Sequence, residues 1–340
     1  MKKKGNRRSG LVCLMLLFSS MVGLAAEGMP TAHDAIPTGV EALYDAGSYK
    51  AAAQALQTAV DRSPNDASLY HWLARCYFEI REFDRSISNW ERAVALNSAR
   101  SDYHDWLGRA YGRKAEQDAH TKMASALSLA RRTHHEFELA VQLDSRNIDA
   151  QRDLISFMAT APSNLGGGEE HAMSQIDALS AVDPVEGMLA RADLYAGRKK
   201  FEQASVEYQK VLKSAPDRID AYFEVADCYR DRGDAERMDQ AVKAAFKVAP
   251  SDRRFNYYQG VVLVLANKDS ETSEKDLRTY ISTEPDNSEL PSRSSAYQYL
   301  GKVYENRGQV DLAAEQYKAA LALDPENKAV REALKRLQEK

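Results

Sequence analysis

Residues 297–325 read Tyr-Gln-Tyr-Leu-Gly-Lys-Val-Tyr-Glu-Asn-Arg-Gly-Gln-Val-Asp-Leu-Ala-Ala-Glu-Gln-Tyr-Lys-Ala-Ala-Leu-Ala-Leu-Asp-Pro. Tyr297, Leu300, Gly301 and Tyr304 fall at i, i+3, i+4 and i+7, which is one face of a helix. Ala313, Tyr317 and Ala320 mark a second helical face in the same way. Gly308 suits the turn between the two helices, and Pro325 stops the second. Small residues at Gly301, Ala313 and Ala320 let the helices approach closely, and the tyrosines fill what remains. The stretch predicts a helix–turn–helix unit that cannot bury its apolar face alone.

The same steps recur upstream at a spacing of about 34 residues. The first unit carries Leu43, Gly47, Ala52, Leu56, Ala59 and Pro64, and the second Tyr70, Leu73, Ala74, Tyr77, Trp90 and Ala93. The third has Leu107, Gly108, Tyr111, Phe137 and Ala140; the fourth has Leu154, Met158, Ala172, Ile176 and Pro184. Ala192, Tyr195, Ala204, Tyr208 and Pro216 mark the fifth, and Tyr222, Ala226, Tyr229, Gly233, Ala245 and Pro250 the sixth. The seventh has Gly260, Leu263, Leu277, Tyr280 and Pro285. Eight such units in register resemble the tetratricopeptide repeat. The resemblance implies an all-α, right-handed superhelical solenoid of stacked helix-turn-helix units over residues 37–326. A capping helix over 327–340 closes it, with Ala329, Val330, Ala333, Leu334 and Leu337 as its apolar stripe. The pattern departs from the family at an insert near 112–133, at a Gly-rich turn over 162–168, and at Ser288 to Arg293. The first of these predicts a lengthened or extra helix packing on the solenoid, or alternatively a protruding amphipathic partner site.

The N-terminus predicts a secretory signal peptide over 1–25. Lys2, Lys3, Lys4, Arg7 and Arg8 precede a short apolar run from Leu11 to Leu24, and Gly23-Leu24-Ala25 supplies the small residues that cleavage requires. Cleavage after Ala25 or Ala26, or retention as an anchor, are the alternatives; residues 26–36 read as a flexible leader. Cutting after Ala25 removes five basic residues and no acidic one, which moves the net charge of −4 to near −9. A chain of that sign is unsuited to nonspecific binding of nucleic acid or anionic membranes. No later segment is long and apolar enough to span a bilayer. Of the three cysteines, Cys76 and Cys228 lie in the repeats, four units apart, beyond disulfide reach. They are expected as buried free thiols.

No catalytic or metal-binding constellation emerges, and no cofactor is expected. Nucleophile elbows, paired Cys-x-x-Cys and His-Glu-x-x-His are absent. Neighbours on a helix diverge by about 100°, so His134 and His135 cannot readily share one metal. Gly166-Gly167-Gly168 lacks the Lys and Ser/Thr of a phosphate loop, and Glu169 and Glu170 would repel an anion there. A flexible or tight inter-helix turn is expected instead.

In the family, the first helix of each unit lines a concave groove. Carried over to this chain, the resemblance places His71, Arg75, Arg109, Arg113 and Arg152 in the N-terminal half of that groove. Asp193, Asp227, Arg230 and Tyr257 follow in the later units, with Glu186, Asp220 and Asp231 adding acidic charge. Two readings stand: a groove of two signs, its basic half receiving an acidic segment or a free C-terminal carboxylate and its acidic half a basic stretch, or ordinary charges, solvated and paired between units. The family's dicarboxylate clamp is not matched, because Pro37, Glu41 and Asp105 stand where it needs other residues. The expected function is a non-enzymatic protein–protein interaction scaffold of the periplasm or cell envelope, binding a protein or peptide segment. The alternatives are a stoichiometric subunit of an envelope assembly or export machine, or a small-ligand-binding solenoid.

Overall fold

The computed structural model describes residues 38–283 and 290–338; the expected signal peptide and leader, and part of the Ser288–Arg293 insert, lie outside these. Helices pair in chain order: α1 (Val40–Asp45) with α2 (Tyr49–Arg62), α3 (Ala67–Glu79) with α4 (Phe83–Leu96), and α5 (Ser101–Asp118) with α6 (Met123–Leu143). Then come α7 (Ile148–Thr160) with α8 (Glu169–Val182), α9 (Pro184–Gly197) with α10 (Phe201–Ser214), and α11 (Ile219–Arg232) with α12 (Ala235–Val248). Two further pairs, α13 (Phe255–Leu265) with α14 (Ser270–Thr283) and α15 (Arg293–Asn306) with α16 (Val310–Leu323), precede the terminal α17 (Lys328–Gln338). There is no strand among the described residues.

The repeat pattern is a packing code. A Cβ at Gly301 would lie 2.6 Å from the Tyr317 ring, and one at Gly108 2.6 Å from Phe137. The second helix of a unit drives its aromatic onto the first helix where a side chain is missing. Ala74 and Ala226 hold that position elsewhere with no exposed surface. Trp90, Tyr111, Tyr208, Tyr280 and Tyr317 are fully buried within the stack, each burial contributing about 1.5–3 kcal/mol before entropy is counted. Units two and seven add a polar tie: Ser86 Oγ donates to the Ala74 carbonyl at 3.0 Å, and Ser273 Oγ to that of Gly260 at 2.9 Å.

The turn inside a unit needs one left-handed residue. Gly47, Gly233 and Gly308 supply it with φ near +70°, and Arg81, Lys199 and Asn267 adopt it at φ 61°, 58° and 50°. Non-glycine residues meet Cβ crowding there that glycine avoids.

The insert of the third unit lengthens both of its helices. α5 runs on to Asp118 and α6 starts at Met123, so that a short turn is all that lies between them. Ala115, Ala126 and Ala130 are buried along the extension. The Gly-rich turn is tightly packed. Leu165 inserts beside Phe137 and Phe157, Gly168 N–H donates to the Met158 carbonyl at 2.8 Å, and a Cβ at Gly167 would stand 1.8 Å from the Ala161 oxygen. In α17 the buried residues are Val330, Ala333 and Leu337; Ala329 is exposed, which narrows the expected apolar stripe. Its position falls outside the i, i+3, i+7 line that meets α16. Both thiols are free; Cys76 is buried and Cys228 is half-buried. Burial pushes the first up to about 12 and the second to about 11.

Candidate functional site

The odd-numbered helices form one continuous layer. α5 touches α7, α7 touches α9, and contact passes on through α11 and α13 to α15; the even-numbered helices pack chiefly on their sequence neighbours. The row with lateral contacts is the shorter one and lies on the inside of the curve. That curve nearly returns on itself: Arg81, in the α3–α4 turn, stands 3.7 Å from Asp324 at the end of α16. Glu116, on the extension of α5, belongs to this meeting point, where burial pushes its carboxyl up to about 7 against the opposing pull of Arg113 and Arg81.

The N-terminal part of the inner layer is aromatic. His71 is 6% exposed and lies among Trp72, Trp90 and Tyr103, with ring centroids 5.2, 4.7 and 5.2 Å away. Burial, and then Arg75, hold it well below the usual histidine range, so it is neutral; Nδ1 has no hydrogen-bond partner. The Arg75 guanidinium lies over Tyr44, Trp72 and Trp106 at 5.1, 5.0 and 4.7 Å, and Arg109 lies over Trp106, also at 4.7 Å.

Of the two readings of these charges, the ion pairs follow the second, with basic and acidic residues paired between units. Arg109 pairs with Asp105 at 3.0 Å and with Asp153 across the α5–α7 contact. Arg152 is the junction: it reaches Glu186 at 3.0 Å, Glu224 at 2.8 Å and Asp193 at 3.8 Å, which ties α7 to α9 and α11. Burial works against its charge, but Glu224 and Glu186 hold the guanidinium protonated. Arg113 pairs locally with Glu116 at 2.7 Å. Arg230 bonds Asp227 at 2.6 Å and Asp231 at 2.9 Å. Tyr257 is 1% exposed and its hydroxyl meets Ser295 Oγ at 2.7 Å, so it is a core residue behind the layer.

Carboxylates outnumber cations along this strip. Burial, and then Glu224, push Asp193 up to about 7, despite Arg152 and a 2.6 Å hydrogen bond from the Tyr208 hydroxyl. Asp227 is pushed up to about 6 by burial, against the opposing pull of Arg230. Asp105, 2% exposed, is held well above the carboxylate range by burial, opposed by Arg109 and reinforced by Asp153.

Sequence reasoning missed one inner position, the residue just before the large apolar residue of the first helix in five of the units. It is Trp72 before Leu73, Trp106 before Leu107, Asp153 before Leu154, Glu224 before Val225 and Tyr299 before Leu300. The clue was present: aromatic and acidic residues recur at a step where a solvated helix face would vary freely. Among the described residues no group of three or more His, Cys, Asp or Glu is arranged to hold a metal. Nor is any helix there long and apolar enough to cross a membrane.

Residues 43–105, 188–237 and 294–327 each match a tetratricopeptide-repeat family model. A tetratricopeptide repeat protein from Parabacteroides merdae is similar in structure with a TM-score of 0.50 at 14% identity, covering 84% of this chain and 99% of its own. Yeast Tom70 gives a TM-score of 0.59 at 14% identity, covering 86% of this chain and 58% of Tom70. At such identities the likeness is one of fold. No curated protein matches the chain in sequence. The family models fall on the beginning, middle and end of one continuous stack of helix pairs, and the chain is a tetratricopeptide-repeat protein.

Proposed function

We propose that this protein is a non-enzymatic scaffold that binds an extended polypeptide segment along its inner layer, in the cell envelope after export. Tetratricopeptide folds are built for protein–protein interaction, and nearly all of the described chain is spent on the stack. One observation carries the reading. The inner layer keeps half-buried aromatic and charged side chains, Trp106, Asp153, Glu224 and Tyr299, at the same step of α5, α7, α11 and α15. A chain lying across them would meet such a side chain on the third, fourth, sixth and eighth units, which suits recognition of an extended segment. Export is supported by the basic start, apolar run and Gly23-Leu24-Ala25 of the first 25 residues.

A photo-crosslinking residue placed at Tyr299, compared with one at the outer, 55% exposed Val206, tests the binding surface in the producing cell. Discrete polypeptide adducts from position 299 and none from 206 are expected. Equal labelling at both would refute inner-layer binding. N-terminal sequencing of the mature protein tests export. A chain starting at Ala26 or Glu27 supports it, and an intact Met1 in the soluble cytoplasmic fraction refutes it.

A further inference from the structure

The inner layer also indicates the chemistry of its guest. From α5 to α11, Arg109, Arg152 and Arg230 each serve two or three carboxylates. Every one of these arginines is already committed, so none is left to grip an incoming carboxylate. Two of the acids keep an unused oxygen. Oδ1 of Asp105, on a side chain 3% exposed, and Oε2 of Glu224 are buried oxygens that no donor reaches. A carboxyl oxygen kept from water without a donor leaves its desolvation uncompensated. With the arginines of this strip already shared among more carboxylates than cations, a positively charged guest suits the layer better than an anionic one.

Aromatic rings flank these acids on both sides along the layer: Trp72 and Trp106 before them, Tyr258 and Tyr299 after them. The Trp106 ring already holds two guanidinium groups of this chain, each 4.7 Å from its centroid. Tyr258 gives its hydroxyl to Asp227 at 3.1 Å, which sets a tyrosine of α13 against a carboxylate of α11. Acid beside aromatic is the pairing that suits ammonium and guanidinium groups.

We propose that the inner layer of the fourth to sixth units binds a cationic polypeptide segment, extended and rich in Lys or Arg. Its charges are taken by Asp153, Glu224, Asp193 and Asp227, and its side-chain stems lie along the neighbouring rings. This rests on the scaffold reading above and fixes the sign of its partner, opposite to the acidic segment considered for the arginines. The raised carboxyls of Asp193 and Asp227 fit it: burial holds them up first and neighbouring carboxylates add to it, and a bound cation would offset both.

The test is a fluorescence-anisotropy titration at low salt with two labelled dodecapeptides, alternating Gly-Lys and alternating Gly-Glu. Asp193→Asn/Glu224→Gln/Asp227→Asn keeps the side-chain shapes, and Glu202→Gln, 88% exposed, is the surface control. The Gly-Lys peptide is expected to bind saturably, about tenfold or more weakly to the triple variant and within about twofold to the control, with affinity falling as salt rises. Circular dichroism checks each fold; should the triple variant not fold, Asp227→Asn alone is expected to weaken binding about threefold. No saturable Gly-Lys binding, or equal loss in variant and control, overturns the cationic guest. If the Gly-Glu peptide binds instead and Arg109→Gln/Arg152→Met abolishes it, the scaffold reading stands with the opposite sign. If no inner-layer substitution alters the binding of either peptide, the scaffold reading falls as well.

Discussion

Arg152→Ala removes the cation at the junction of three units. Its side chain is 13% exposed, and Glu186, its nearest partner on α9, is 3% exposed. Deleting one member of a buried pair costs about 3–5 kcal/mol, because the remaining charge keeps its desolvation cost. Glu186 retains Arg218, which softens the loss at that one carboxylate. Glu224 and Asp193 have no such reserve among the ion pairs they make. We expect a loss of about 3 kcal/mol at pH 8. The deficit depends on pH with a definite sign. Asp193 already titrates at about 7 in the folded chain, above the unfolded value near 4. A carboxyl raised in the fold stabilises it fully below the unfolded value, and that contribution is lost as pH rises through the folded one. Without Arg152 the carboxyls rise further, so the variant recovers on acidification. Urea unfolding followed by far-ultraviolet circular dichroism at pH 8 and pH 5 measures both. Because repeats unfold by neighbour interactions, the variant should also split into two transitions, one on each side of α7–α9. A loss under about 1 kcal/mol at pH 8, or a larger loss at pH 5 than at pH 8, would refute the buried-junction argument.

Gly301→Ala forces a Cβ to within 2.6 Å of Tyr317; we expect a loss of about 1–3 kcal/mol, seen as faster amide exchange in α15 and α16 with the early units unaffected. Trp90→Ala empties a site with no exposed surface, stacked on Trp106 at 6.1 Å, and should cost about 3–5 kcal/mol in chemical denaturation. Asp193→Asn keeps an acceptor for the Tyr208 hydroxyl and removes a strained charge, so it should stabilise the fold at pH 8 and give no gain at pH 5. Asp324→Arg sets like charges at the Arg81 contact; its stability should change by less than about 1 kcal/mol, yet its radius of gyration in X-ray scattering should grow, and adding Arg81→Asp should reverse this.

The fold was legible because its grammar is steric. Leu300-Gly301 followed by Tyr317 says that a ring will press on a bare backbone, and no other arrangement explains that spacing as economically. The turn position was harder to read, since Arg81, Lys199 and Asn267 take the left-handed conformation without glycine's advertisement of it. The candidate site was legible only in part. Groove positions carried over from the family found Arg109, Arg152, Asp193 and Asp227. They did not reveal that one arginine would reach acids on two other helices, because Arg152 and Glu224 lie 72 residues apart and meet only through curvature. Which of the two readings of the groove charges applied could not be read from the chain for the same reason: charge order along a chain is not charge order across neighbouring units. The residue before each large apolar position went unread because the family's groove steps skip it.

Arg81 and Asp324 touch after the stack has gone once around. A free-ended array of repeats can be lengthened or shortened by whole modules, since a duplication merely adds a floor to the tower. Here a duplicated module between the second and eighth would carry Asp324 onward by a full step, and a deleted one would leave it short. For this contact, copy number thus becomes a matter of circumference.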